Sequence, residues 1–221
     1  IDELWQLVDT SERTRRHCMM TENCVYDYYE MTVLNMAQQG LFGEILHTTG
    51  GYVHCLDRLL RKPDPRWRVE RMRIFRGDPY PTHGLGPVCQ LLNIHRGDRL
   101  AFLVSVDTKA VVGRELYADA TGERPEEFKN GDQTSTFIRT VNGKVINLFH
   151  NVVTPRPYHR GYSLVGTNGY VEKYPAENMM IGSHVEEGVN PNTLGAHKFM
   201  SDAERNALLE KYRHPILTET E

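Results

Sequence analysis

The spacing of apolar side chains along the chain predicts alternating helices and strands. Ile1, Leu4, Trp5 and Val8 recur at helical intervals and predict a first helix, while the short apolar run "HCMMTE" (17–22) suits a buried strand. From Asp27 the helical period returns through Met31, Leu34 and Ala37. It stops at Gly40, a residue free to take the left-handed C-terminal cap. "LFGEI" then restarts the chain as a strand, and Glu44 to His54 reads as extended, being rich in Thr, Tyr, Val and Ile. Gly50 and Gly51 within it point to a bulge or to close approach of another backbone.

Pro63 and Pro65 bracket a predicted loop before Trp67 and Arg68. In "YPTHGLGPVCQLLNIH" (80–95), Leu85, Val88, Leu91 and Leu92 mark a helix over 83–94, with Thr82 as its cap and Pro87 close enough to the first turn to be tolerated. "RLAFLVSVDT", "QTSTFIRT" and "KVINLFHNVV" follow as strands. Asn142-Gly143 is expected to supply the positive φ angles of a two-residue hairpin between the last two, and Asn168-Gly169 links "YSLVGT" to "YVEKY". Ser201 and Glu204 form a capping box that opens the helix "DAERNALLEKY". The sum is an α+β fold: an open, mainly antiparallel sheet of about six strands between residues 44 and 175, with helices on one face.

Composition narrows the possible partners more than the fold. With 221 residues, 39% hydrophobic and 25% charged, the chain has material for a real core, and a net charge of −3 without basic runs argues against nucleic acid and against a polybasic membrane contact. No run approaches the roughly 20 apolar residues of a membrane span. Cys18, Cys24, Cys55 and Cys89 lack the C-x-x-C spacing of zinc or redox pairs and are expected to be buried thiols. None of the ten histidines stands at a metal-ligand spacing, so no metal is expected. There is no G-x-S-x-G elbow and no phosphate-binding loop. Gly84-Leu85-Gly86 is not a dinucleotide fingerprint, because no strand of the right spacing precedes it.

The candidate chemistry gathers at the start of the 83–94 helix. A histidine there feels the positive end of the helix dipole, which disfavours imidazolium and leaves a neutral ring able to exchange a proton near neutral pH. Tyr80, stiffened between Pro79 and Pro81, can reach the same place. Physical reading alone leaves open an ordinary cap at Thr82 with a surface or core His83. Arg68, flanked by Trp67 in a Pro-bounded loop, can pair with an anionic or polyhydroxylated ligand, or be a solvated charge. Tyr158, aimed by Pro155 and Pro157, can line a site or mark a rigid sheet exit.

"YPTHGLGPVCQLLNIHRGDRL" (80–100) resembles the signature of glycoside hydrolase family 109, the bacterial NAD-dependent α-N-acetylgalactosaminidases of the Gfo/Idh/MocA oxidoreductase superfamily. "ENCVYDYYEMTVLNMAQQGLFGEILHTTGGYVH", "GDQTSTFIRTVNGKVINLFHNVVTPRPY" and "AHKFMSDAERNALLEKYRHP" are similar to consecutive stretches of the same family. The resemblance implies that residues 1–40 are the last helix, strand and helix of a Rossmann-like NAD domain. Residues 41–221 are then a substrate-binding and oligomerisation domain with an open sheet. The Gly-rich fingerprint that precedes, and a Gly-His-Gly-Gly segment that follows, lie outside this sequence. The chain is thus expected to be a piece of a longer enzyme and inactive by itself.

By the same resemblance, His83 and Tyr26 are catalytic, while Arg68, Tyr80 and Tyr158 surround the sugar. Bound NAD oxidises C3, the glycosidic bond breaks by elimination, water adds and the hydride returns, a route outside the two-carboxylate scheme of most glycosidases. A homo-oligomer formed through the sheet face is implied. The compartment is open between bacterial cytoplasm and periplasm. One departure is "YVHCLD" (52–57), where an acidic residue is expected in place of Cys55 and an Arg near Asp57. Two other readings stay open: a sugar oxidoreductase of the superfamily with net hydride transfer to NAD(P), and a cofactor-free binding module.

Overall fold

In the computed structural model, residues 2–62, 67–182 and 198–219 are described. The alternating segments pair into one sheet: β1 (Ile45–Val53), β2 (Leu100–Asp107), β3 (Thr134–Thr140), β4 (Val145–Asn151), β5 (Ser163–Gly166), β6 (Gly169–Glu172) and β7 (Asn178–Ile181). Their order is β2-β3-β4-β1-β5-β6-β7, with β1 and β4 parallel and every other neighbouring pair antiparallel. The mainly antiparallel sheet is therefore as expected, with a seventh strand beyond residue 175.

The helices are α1 (Asp2–Thr14), α2 (Tyr28–Gln38), α3 (Asp57–Leu60), α4 (Trp67–Ile74), α5 (Thr82–Leu91), α6 (Val112–Thr121), α7 (Asp202–Lys211) and α8 (Pro215–Thr218), with a 3-10 turn at Asn23–Tyr26. On one sheet face Ile138, Ile146, Leu148 and Leu164 pack with Tyr29, Val33 and Met36 of α2 and Val88 and Leu91 of α5. Towards the end of β1, Tyr52, Val152 and Val153 close a second cluster with Val69 and Met72 of α4 and Leu116 of α6. Among the described residues the other face carries no such cover: Phe102, Val104, Val106 and Phe137 are 59, 57, 67 and 55% exposed.

Several local expectations need correcting. Residues 17–22 form no strand, and Met19 and Met20 are 71 and 70% exposed, because a strand needs a neighbouring ladder and none of the described strands runs beside this segment. Thr82 does not cap α5. Pro81 holds the cap position, its carbonyl accepting from Leu85 N–H at 2.8 Å, and Thr82 is already helical. Arg68 sits on α4 and not in a loop; Pro63 and Pro65 lie outside the described residues.

The two Asn-Gly turns also differ. Thr140 N–H donates to Lys144 O at 2.9 Å across a three-residue loop in which Gly143 alone has a positive φ, 87°. The β5–β6 loop is Thr167-Asn168, with neither Asn168 nor Gly169 at positive φ. It is held from outside, Thr167 N–H donating to Glu44 O at 2.9 Å and Asn168 N–H to Phe42 O at 3.0 Å. Helix α6 was not expected at all. Its first turn is capped by a distant residue, Asp132, whose carboxylate accepts from the N–H groups of Val111, Val112 and Gly113 at 3.0, 2.8 and 2.9 Å. The capping box at Ser201 and Glu204 is present, and so is Gly40 at φ 79° after α2.

Candidate active site

Two strands and one helix set the site. Because β1 and β4 run parallel in register, Tyr52 lies beside His150 near their C-terminal ends, ring centroids 6.2 Å apart. Helix α5 crosses β1 at backbone contact. A Cβ on Gly50 would lie 2.3 Å from Gly84 O, and one on Gly84 would lie 2.2 Å from Gly51 N. The close approach expected at Gly50 and Gly51 is therefore real, and the glycines are what allow it. It brings His83, in the first turn of α5, within 5.1 Å of the Tyr52 ring, with Tyr80 5.0 Å from His83 and 5.2 Å from Tyr52. The Arg68 guanidinium stacks over Tyr80 at 4.9 Å and over Trp67 at 4.4 Å.

Tyr158 joins this group by a different route. Val53 and His159 exchange backbone hydrogen bonds of 2.9 and 3.0 Å. That bridge sets the Tyr158 ring 5.1 Å from His54, itself 6.0 Å from Tyr52. Burial pushes the Tyr158 hydroxyl up to about 12, so it stays protonated near neutrality and can act as a donor.

A carboxylate stands at His83. Glu22 Oε1 lies 2.6 Å from His83 Nδ1, and Cys24 Sγ lies 3.2 Å from the same nitrogen. Glu22 caps the 3-10 turn by accepting from Cys24 N–H at 3.0 Å. Burial by itself would raise the Glu22 carboxyl, but the hydrogen bonds from His83, Cys24 N–H and Thr82 outweigh it and hold the group below its usual range. An ionised Glu22 at that distance needs a proton on Nδ1, which leaves Nε2 as the nitrogen that can exchange one. The Glu22 carboxylate thus orients the His83 ring and fixes which nitrogen carries the proton. Cys24 is buried, and burial pushes its thiol up to about 11, so it is a weak nucleophile as it stands.

His150 behaves in the opposite way. It is buried beside a small cavity that Arg68, Tyr80, Trp67 and Pro79 also line, and among the described residues its Nδ1 has no hydrogen-bond partner. Burial, with the Arg68 charge adding to it, pushes this imidazole down to about 4. Asp78, two residues before Tyr80, accepts from Tyr80 N–H at 2.8 Å, and burial pushes it up to about 6.

The structure therefore brings His83, Tyr80 and Arg68 together, and joins Tyr158 to them through His54 and Tyr52. Tyr26, half exposed at the end of the 3-10 turn, shares that turn with Cys24. Sequence reasoning missed Glu22, Cys24, Tyr52 and His150. Glu22 is separated from His83 by 61 positions, and no spacing rule spans that distance. The only available signal was the "EN" that precedes Tyr26. Cys18 and Cys55 are exposed, against the expectation of buried thiols, because the segments carrying them lie outside the apolar clusters.

A dinucleotide needs a glycine-rich turn whose free N–H groups cradle the pyrophosphate at a helix N-terminus. The residues described do not fit that need. Gly84 and Gly86 are taken up by packing, the latter with a Cβ position 3.0 Å from Glu22 Cγ. The first turn of α6, which follows β2, is occupied by the Asp132 carboxylate.

Comparison with known proteins gives the family and the fold. The family model "Glycosyl hydrolase 109, C-terminal domain" matches residues 26–221. Glycosyl hydrolase family 109 protein 1 of Bacteroides fragilis is 51% identical over 224 residues, and the family 109 protein of Porphyromonas gingivalis is 50% identical; in each case the match covers 100% of this chain and 48% of the relative. The chain spans about half the length of the curated relatives it matches. Among solved structures, an NAD binding oxidoreductase from Klebsiella pneumoniae superposes with a TM-score of 0.61 at 15% identity, over 89% of this chain and 49% of that one. An inositol dehydrogenase homologue complexed with NAD+ from Azotobacter vinelandii gives 0.57 at 13% identity, over 97% and 62%. At such identities the likeness is one of fold alone. A match of the C-terminal domain model over residues 26–221 and half-identity to its relatives place this chain in the glycosyl hydrolase 109 family.

Proposed function

We propose that this chain is the sugar-binding and subunit-contact part of an NAD-dependent glycosidase acting on α-N-acetylgalactosaminides. The observation that carries the reading is the Glu22–His83 pair, 2.6 Å apart, set beside Tyr80 and Arg68 at the C-terminal ends of β1 and β4. Glu22 holds the Nδ1 proton, so His83 Nε2 is the atom that takes a proton from the substrate and returns it, the work of a base of moderate strength. Tyr26 is the second catalytic group. Tyr80 and Arg68 form one wall for the sugar ring, and the protonated Tyr158 hydroxyl donates to a sugar oxygen on the other side.

The chemistry that NAD would supply, when held by residues outside this chain, is the reversible removal of a hydride from the sugar. The NAD phosphate cradle belongs, on this reading, to the part of a full-length relative that this chain does not span. Residues 1–40 close that dinucleotide-binding half, and residues 41–221 form the substrate domain. The open sheet face around Phe102, Val104 and Phe137 is the contact with a second copy.

The test uses a full-length protein carrying this chain, incubated with an aryl α-N-acetylgalactosaminide and NAD. Release of the phenol without accumulation of NADH is expected. Stoichiometric NADH with an oxidised sugar would replace the glycosidase with an oxidoreductase. For the 221-residue chain alone, calorimetry should show no micromolar NAD binding.

A further inference from the structure

The Glu22–Cys24–His83 corner holds more than a hydrogen-bonded pair. One ligand atom from each side chain, a carboxylate oxygen, a thiol sulfur and an imidazole nitrogen, lies within 4.8 Å of the other two. Cysteine, histidine and glutamate are the donor types that zinc takes, at about 2.0–2.3 Å from the metal in a tetrahedral site. The present separations of 2.6 Å (Nδ1 to Oε1) and 3.2 Å (Sγ to Nδ1) are those of atoms sharing hydrogen bonds, shorter than the edges of such a tetrahedron. A metal fits once the three atoms move apart by under about an ångström. The donors are well held: Glu22 and Cys24 are buried on one turn, and His83 is in the first turn of α5. The Arg160 guanidinium near Cys24 is already paired with Asp27 and Glu30.

We propose that Glu22, Cys24 and His83 form a binding site for a single thiophilic divalent cation of the zinc type. On binding, the Cys24 S–H loses its proton to solvent and an S–metal bond forms. The His83 Nδ1–H is replaced by an N–metal bond, the ring keeping its neutral charge with the proton on Nε2, and Glu22 contributes its existing negative charge. The dication, the thiolate and the carboxylate sum to zero, so the buried site, which carries the single negative charge of Glu22 before binding, is neutral after it. Occupancy takes away the Glu22–His83 hydrogen bond. If the glycosidase reading above holds, on which this consequence alone rests, metal occupancy and turnover exclude one another.

The experiment titrates cobalt(II) into the untagged, reduced chain, with zinc then used to displace it. Expected are one metal per chain, a thiolate-to-metal charge-transfer band in the near ultraviolet and intense visible bands of a four-coordinate ion. Cys24→Ser should abolish the charge-transfer band, and Glu22→Gln or His83→Gln should each weaken binding at least tenfold. The double variant Cys18→Ser/Cys55→Ser, which removes the exposed thiols, should bind as the parent does. Circular dichroism melting identifies any variant that fails to fold. If Cys24→Ser does, the shift of the visible bands and the tenfold loss in His83→Gln decide instead. A charge-transfer band that survives Cys24→Ser, or disappears in the Cys18/Cys55 variant, overturns the site, as does the lack of any one-to-one complex at micromolar metal. None of these readouts depends on activity, so a metal-free full-length protein that cleaves no aryl α-N-acetylgalactosaminide in the presence of NAD would refute the glycosidase reading and leave the metal site standing.

Discussion

The two faces of the sheet obey the same alternation and have different fates. On one, Ile138, Ile146, Leu148 and Leu164 are sealed under α2 and α5. On the other, residues one step along the same strands, Phe137 among them, stand in solvent with Phe102, Val104 and Val106 of β2. The covered face ends in the site, because the parallel pair β1 and β4 delivers Tyr52 and His150 to it and the glycine contact delivers His83. The open face presents apolar side chains to solvent instead. Its apolar side chains cost little in this fold and become useful only if another surface covers them.

This contrast can be broken first by cavity formation. Leu148→Ala should destabilise the domain by about 2–5 kcal/mol, since the side chain is buried among helices, whereas Phe137→Ala should cost under about 1 kcal/mol. Urea unfolding of both variants reads the difference, and equal losses would mean that the open face is covered in the isolated chain. Phe137→Lys should leave the melting of a subunit nearly unchanged and, in sedimentation, shift any self-association towards monomer.

Acid sharpens the comparison within the covered face. The folded-state value of His150 is depressed from 6.5 to about 4. Between those pH values the unfolded chain binds the extra proton, so stability rises with pH across the window and is lost as pH falls through it, by on the order of 3 kcal/mol. Asp78 opposes this: its raised value, from 3.8 to about 6, makes stability fall as pH rises over that window. The informative quantity is therefore the difference between His150→Phe and the parent in denaturant melts at pH 7 and pH 4. The variant should lose most of the His150 contribution, and parallel pH profiles would show that this imidazole is not buried neutral. Glu22 and Asp27, both held low although burial alone would raise them, contribute stability that is present above the usual carboxylate range and lost only in stronger acid.

In the full-length protein His83→Ala should reduce turnover about a hundredfold or more, roughly 2.7 kcal/mol of transition-state stabilisation. His95, exposed at φ 62° beyond the end of α5, should be replaceable by alanine with little loss. Equal losses would make His83 structural. The smallest effect is expected far from the site, where Ser201→Ala removes the reciprocal cap of α7 and should lower stability by about 1 kcal/mol in a thermal melt.

The periodicity of "QTSTFIRT" and "KVINLFHNVV", the capping box at Ser201 and the stop at Gly40 were legible because each depends on residues a few positions apart. Helix α6 was not, since the group that caps it, Asp132, comes about twenty residues later. The apparent strand at 17–22 failed for the complementary reason: a run of apolar residues has no ladder unless another segment supplies one. By itself the sequence determined which residues could turn inward, where several helices stop or start and, through long matched stretches, the family. His83, Tyr80 and Arg68 were readable as candidates on the same grounds. That His83 faces a carboxylate and a thiol was decided only by the tertiary structure. Glu22 and Cys24 reach it because Gly50, Gly51 and Gly84 let α5 sink onto β1 and Gly86 lets it press against Glu22. Such contacts depend on backbone-to-backbone distance across some thirty to sixty positions, and no local pattern of side chains encodes that distance.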